Sequence, residues 1–205
     1  GTLGMDLGTP NQKGLNDLLS GKTVEITREK VESLLVSHIS GLKLLLASEN
    51  PRDVHLTSQL SHYENLVARL ATLARFTVLD LGSGMPPFVQ KILPLCTDRI
   101  VVVEGSPNTI THTKLLIDEI ANLGIDRMSI SVVLNNRMRS ETQMALADVQ
   151  KDLGHSIATT LTPAPEMMTA APRMQMPAIF SQPTNVTSQQ ILKIADLILE
   201  RERAK

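Results

Sequence analysis

The chain has 205 residues, 42% hydrophobic and 20% charged, which is enough for one full-sized core and makes no case for two, so a single domain over 1–205 is expected. Lysine and arginine number 20 against 21 acids, and a formal net charge of -1 gives no global pull toward nucleic acid or anionic lipid; aromatics at 2% are too few for base-stacking platforms. Cys96 is the only cysteine, which excludes an internal disulfide or cysteine zinc cluster and favours the cytoplasm, and no apolar run reaches the roughly 20 residues of a membrane span.

G-T-L-G-M-D-L-G opens abruptly, as though inside a loop, and suggests a fragment of a longer chain. Turn formers fill Gly8 to Gly14, and Leu15, Leu18 and Leu19 then mark a short helix closed by Ser20 and Gly21. Ile26 to Ser37 reads as a second helix with Thr27 as N-cap, Leu42 to Ala47 as a strand, and His55 to Arg75 as a long helix with leucines at helical spacing. A strand is expected at Phe76 to Asp80, a short helix over Phe88 to Leu93, and a strand over Arg99 to Glu104 that fits burial on both faces. Helices over Ile110 to Leu123 and Glu141 to Leu153, each closed by a glycine, alternate with strands at Ser129 to Leu134 and Ile157 to Leu161. Pro163 to Pro183, with Met167, Met168, Met174 and Met176, reads as a loop and short helix packed on the sheet edge, and Ser188 to Arg203 as a closing helix. The alternation predicts an α/β fold with a mostly parallel sheet and helices on both faces.

F-T-V-L-D-L-G-S-G-M-P-P, residues 76 to 87, is the stretch with the most chemistry in it. An apolar run delivers Asp80 to the C-terminal end of a strand, where ligands bind in open α/β sheets. Three readings fit: a phosphate-binding ATPase whose carboxylate holds a magnesium-bound water, a methyltransferase turn beneath S-adenosylmethionine, or a buried strand whose Asp caps the next helix. Glu104 at the end of the following strand suits the ribose contact of a methyltransferase, whereas Pro86 falls where the turn's third glycine belongs and removes a backbone donor.

Gly21-Lys22-Thr23 imitates the tail of a phosphate loop, but the first glycine of that loop would fall on Asn16 and the segment before it is helical. His55 and His62 have neither the spacing nor a carboxylate partner for a metal and are expected to be solvated or capping; Cys96 is expected to be a small core residue. Asn185-Val186-Thr187 fits a glycosylation sequon with no mark of secretion, and Arg201, Arg203 and Lys205 suit a helix C-terminus electrostatically. Leu134-Asn135-Asn136-Arg137 and Thr162-Pro163-Ala164-Pro165-Glu166 lie at two successive strand ends. An Asn side chain there can match both donor and acceptor on an adenine edge, so together they suggest a nucleotide base pocket.

In this order the motifs resemble the deviant-Walker ATPases of the MinD/ParA family, most closely the CpaE/TadZ-like branch of Flp/Tad pilus assembly and polar localisation. G-T-L-G-M-D-L-G with G-L-N-D-L-L is similar to the segment after that family's second strand, and G-L-K-L-L-L-A-S-E-N-P to its third strand and loop. F-T-V-L-D-L-G-S-G-M-P-P resembles its Walker B and switch II, R-I-V-V-V-E-G-S-P-N-T-I the next strand and helix start, V-V-L-N-N-R-M-R-S the base-binding strand end, and T-P-A-P-E with M-P-A-I-F-S-Q-P the final loop.

The resemblance implies a P-loop NTPase fold, N-terminally truncated, because the family's K-G-G-x-G-K-[ST] loop, signature lysine and switch I aspartate precede the point where this chain starts. It implies ATP and Mg2+ as cofactors, Asp80 as the magnesium-site acid with a catalytic role, Gly84 as the switch II glycine, Asn136 on adenine with Arg137 beside it, and Pro163 and Pro165 walling the base. It implies hydrolysis in the full-length parent rather than in this piece, an ATP-dependent homodimer, and partner proteins of a bacterial positioning or pilus-assembly system. No specific nucleic acid and no transmembrane segment are expected; peripheral membrane or polar localisation fits. A non-catalytic scaffold of the same fold and a methyltransferase are the alternatives. The absent first strand is expected between Phe76 to Asp80 and Arg99 to Val103, so its loss leaves a gap or forces those strands to pair.

Overall fold

The parallel strands form where the sequence is rich in β-branched residues, and the flanking helices follow the apolar spacing with shifted ends. The computed structural model describes residues 2–9, 14–137 and 144–204. Its two compact units are Gly1–Leu95 with Pro172–Pro177, and Cys96–Ala171 with Ala178–Lys205.

The first unit holds α1 (Leu3–Asp6), α2 (Leu15–Ser20), a 3-10 turn at Thr23–Glu25, α3 (Arg28–Ser33), the strands β1 (Val36–Ser37) and β2 (Lys43–Leu44), a 3-10 segment at Pro51–Ser58, α4 (Leu60–Leu70) and α5 (Pro87–Ile92). Leu18, Ile26, Val31, Leu34 and Leu66 make one core cluster; Leu19, Leu56, Tyr63 and Ile92 make another, with Tyr63 stacked on Phe88 at 4.8 Å between ring centroids.

Three expectations fail here. Thr27 caps α3 as expected, accepting the Lys30 N–H at 3.2 Å, but the helix stops at Ser33, and Val36 and Ser37 pair antiparallel with Leu44 and Lys43. The 42–47 run therefore supplies two residues of a hairpin instead of a strand of the parallel sheet. The long helix expected over His55 to Arg75 is broken at Gln59, whose ψ of 62° is not helical, so Pro51–Ser58 stays in 3-10 geometry ahead of α4.

Phe76 to Asp80 forms neither helix nor turn and joins no sheet among the described residues. A strand needs a neighbour to take its backbone N–H and C=O groups, and an apolar sequence alone does not supply one. Leu79 and Leu81 lean on the second core cluster, while Val78, just before them, is 92% exposed.

Residues 172–177 complete this unit. His38, buried in the hairpin, accepts the Ser40 N–H on Nδ1 at 3.1 Å, which leaves the proton on Nε2 to donate to the Gln175 carbonyl at 3.0 Å. Gln175 has φ +52°, uncommon for a side-chain-bearing residue, and its side chain lies against Gly8, where an added Cβ would fall 2.3 Å from Gln175 Cδ.

The second unit is built on β3 (Arg99–Val103), α6 (Pro107–Asn122), β4 (Ile130–Asn135), α7 (Leu146–Leu153), β5 (Ile157–Leu161), α8 (Pro165–Met174, whose last turn belongs to the first unit), α9 (Ala178–Ser181) and α10 (Val186–Arg203). The sheet order is β3-β4-β5, all parallel, with Val101 opposite Val132 and Leu134 opposite Thr160. Every residue from Ile130 to Leu134 is buried, so both faces of the central strand are covered, as the expected α/β architecture requires.

β3 differs from the expectation of burial on both faces. Val101 and Val103 are buried, but Ile100 and Val102 are 44% and 58% exposed, and β4 is its one neighbour among the described residues. Helix α6 starts at Pro107, ahead of the expected Ile110, because proline at the first helical position forfeits no hydrogen bond. Helix α7 begins at Leu146; residues 141–143 of the expected helix lie outside the described residues. The proline- and methionine-rich 163–183 region is more helical than expected, folding into α8 and α9.

Candidate functional site

The carboxylate loop in the first unit is shaped by alternation. With Leu79 and Leu81 turned to the core, Asp80 between them faces outward and is exposed. Its Oδ1 accepts the Gly82 N–H at 3.1 Å, closing a turn over Leu81. Gly82 and Gly84 sit at φ +69° and +76°, and a Cβ at either would meet nothing within 4 Å. Backbone conformation, then, is what calls for glycine here, not lack of room. The loop ends where Gln90 donates to the Met85 carbonyl at 2.7 Å and Pro87 opens α5.

In the second unit the parallel strands bring their C-terminal ends to one rim of the sheet. There the Asn136 N–H continues the ladder past β4 by donating to the Leu161 carbonyl at 3.0 Å. Its side-chain Oδ1 is buried and receives no hydrogen bond from the described residues. A buried amide acceptor left unpaired is destabilising by about 1–3 kcal/mol, so such atoms call for a donor from elsewhere. Arg137, next in sequence, reaches Glu104 beyond the end of β3, with Nη1 3.4 Å from Oε1; the pair is exposed.

Pro163 and Pro165 lie on the same rim after β5, Pro163 half-buried and Pro165 exposed at the start of α8. The residue before them is held by α10. Gln190 Oε1 accepts the Thr162 N–H at 2.8 Å and the Thr162 hydroxyl at 3.2 Å, and the Thr187 hydroxyl donates to the Thr162 carbonyl at 2.9 Å. Thr187 and Ser188 are 2% and 0% exposed, the deepest residues of that helix.

Four of the expected site residues, Asn136, Arg137, Pro163 and Pro165, thus share one rim, while Asp80 and Gly84 belong to the carboxylate loop. Sequence reasoning missed Thr187 and Gln190, for which the chain offers no local motif. Glu104, the ribose contact of the methyltransferase reading, has Arg137 as an exposed partner.

Other expectations are corrected. His62 is neither solvated nor capping: it is buried, with Nε2 2.9 Å from the Gly21 carbonyl and Nδ1 3.2 Å from the Thr23 hydroxyl. Arg201 does more than suit a helix end, since its Nη1 lies 3.2 Å from Oδ1 of a mostly buried Asp98. Cys96 is half-buried, and burial pushes its thiol above the usual range. Asn185 caps α10, its side chain accepting the Thr187 N–H at 2.9 Å. Among the described residues no three His, Cys, Asp or Glu side chains cluster as a metal site, and no helix is long and apolar enough to cross a membrane.

No protein-family profile and no curated protein matches the chain. Solved structures do. A ParA family ATPase from Chlorobium tepidum superposes with a TM-score of 0.82 at 15% identity, covering 95% of this chain and 80% of that one. The septum site-determining protein MinD of Pyrococcus horikoshii, complexed with Mg-ADP, gives 0.77 at 17% identity, with coverages of 96% and 78%. The MinC:MinD cell division complex of Aquifex aeolicus gives 0.70 at 19% identity, with coverages of 97% and 78%. The chain has the α/β fold that these ParA and MinD structures share.

Proposed function

We propose that the chain is the base-binding and switch-bearing part of an ATP-dependent dimerisation ATPase used for spatial positioning or pilus assembly, its phosphate loop carried by polypeptide outside residues 1–205. The observation that carries this reading is the buried Oδ1 of Asn136, which has no donor among the described residues, on the strand-end rim where Pro163 and Pro165 also lie. An acceptor there matches the exocyclic amine of adenine, whereas the carbonyl of guanine at that position would leave two acceptors opposed. The Mg-ADP in the Pyrococcus relative supports nucleotide and magnesium as the class of ligand.

In this reading Asn136 receives the base, Pro163 and Pro165 exclude water from its face, Arg137 is steadied beside it by Glu104, and Asp80 holds the magnesium shell. ATP supplies, when bound, a γ-phosphate whose loss on hydrolysis releases a switch. Gly82 and Gly84, where an added Cβ would meet nothing within 4 Å, give the Asp80 loop freedom to answer that change. The switch governs pairing with a second copy and recruitment of partner proteins, as the MinC:MinD complex suggests, and a polar or membrane-peripheral location fits that role.

The test is calorimetric titration of MgATP into the protein expressed from its complete reading frame. Asn136→Ala should weaken binding by about tenfold or more, the equivalent of one buried hydrogen bond, and wild-type affinity in that variant removes the assignment. A second reading, a non-catalytic scaffold of the same fold, is favoured by one observation: Gly21-Lys22-Thr23 follows a helix and offers no phosphate cradle. Phosphate release at background level from the complete protein would select it.

A further inference from the structure

We infer that Gln190 is a positioning residue that sets the purine selectivity of the rim; the inference rests on the nucleotide reading and names what enforces its base preference. The wall Pro163-Ala164-Pro165 holds itself poorly, because neither proline has an N–H to anchor it. Its fixed point is Thr162, and every polar group of Thr162 is taken by α10: the N–H and hydroxyl by Gln190 Oε1, the carbonyl by the Thr187 hydroxyl. Gln190 and Thr187 stand three positions apart on one helical face, so they act on Thr162 as a clamp.

The clamp is itself built in. Asn185 caps the first turn of α10, and the fully buried Ser188 donates to the Gln182 carbonyl at 2.7 Å and lies 3.2 Å from the sulfur of the equally buried Met167. Met167 belongs to α8, directly after the wall. The wall is thus gripped before its first proline and after its second.

Displacement at Thr162 has a short route to the base. The preceding carbonyl, that of Leu161, accepts the Asn136 N–H, so a shift in β5's last residue moves the amide whose Oδ1 awaits a donor. Loss of the Gln190 oxygen therefore loosens wall and amide together, and the adenine preference declines more than the phosphate contribution does.

The experiment uses the complete protein and three probes: MgATP, MgGTP and magnesium tripolyphosphate. Gln190→Leu should weaken MgATP by about tenfold, bring the ATP-to-GTP affinity ratio close to one, and leave tripolyphosphate affinity at the wild-type value. Gln190→Glu, which keeps an acceptor oxygen in place, should retain the wild-type ratio. Gln190→Asn, too short to reach Thr162 but still polar, should behave as Gln190→Leu and serves if the leucine variant does not fold. An unchanged ratio in the Leu and Asn variants overturns the inference, as does a parallel loss of tripolyphosphate binding, which marks a general structural defect. Should the wild-type protein take neither nucleotide, the nucleotide reading itself fails and carries this inference with it.

Discussion

Two substitutions at Asp80 separate its structural task from its proposed chemical one. Its Oδ1 holds the Gly82 N–H at 3.1 Å on an exposed loop, so Asp80→Ala should lower stability by only about 0.5–1 kcal/mol, the net worth of a solvent-accessible hydrogen bond. Asp80→Asn presents the same oxygen to the same N–H, and its stability should stay within about 0.5 kcal/mol of wild type. The asparagine has no negative charge, however, and a magnesium shell that relied on the carboxylate should lose about 10–100-fold in metal affinity, or roughly 1.4–2.7 kcal/mol. Urea denaturation reads the first quantity, and magnesium titration of nucleotide binding by the complete protein reads the second. The reasoning is refuted if Asp80→Asn keeps the wild-type magnesium dependence, or if it destabilises as much as alanine does.

Ile117 is 1% exposed in α6, and Ile117→Ala should cost about 3 kcal/mol in urea denaturation, combining lost transfer energy with an incompletely collapsed cavity; a change under about 1 kcal/mol would show that the site repacks freely. Burial pushes the Tyr63 hydroxyl above its ordinary value of 10.0, so the folded protein holds that proton more tightly than the unfolded chain. Its contribution to stability is full below the unfolded value and is lost as pH rises through the folded one. Tyr63→Phe keeps the ring against Phe88 and should lose stability less steeply on the alkaline side; identical alkaline slopes in both proteins would exclude Tyr63 as a contributor.

Elements made by local pattern were legible in the sequence. The runs at 99–103 and 157–161, the helix closed by Gly124 and the one closed by Gly154 lie where β-branching, apolar spacing and left-handed glycines put them. What depended on partners was not. Phe76 to Asp80 has a strand's composition but no ladder among the described residues, because pairing is a property of the neighbour. Gln59 interrupts a leucine periodicity that runs through it unbroken. At the rim, Asn136, Arg137 and the prolines stood out as polar or rigid residues at strand ends. The Gln190 clamp did not, since it joins residues 28 positions apart through side chains that look ordinary on any helix.

The Gln175 contact has a practical consequence for cutting this chain apart. Residues 172–177 belong with 1–95 although the polypeptide on either side of them belongs with the other unit, so covalent continuity passes between the two at 95/96, 171/172 and 177/178. A gene truncated after Leu95 would encode a half with a hole in it: the His38 ring N–H would face no carbonyl, and the notch at Gly8 would hold no glutamine. Split-protein reassembly or subcloning of that half needs the hexapeptide Pro172–Pro177 supplied, in tandem or in trans, before its solubility says anything about its intrinsic fold.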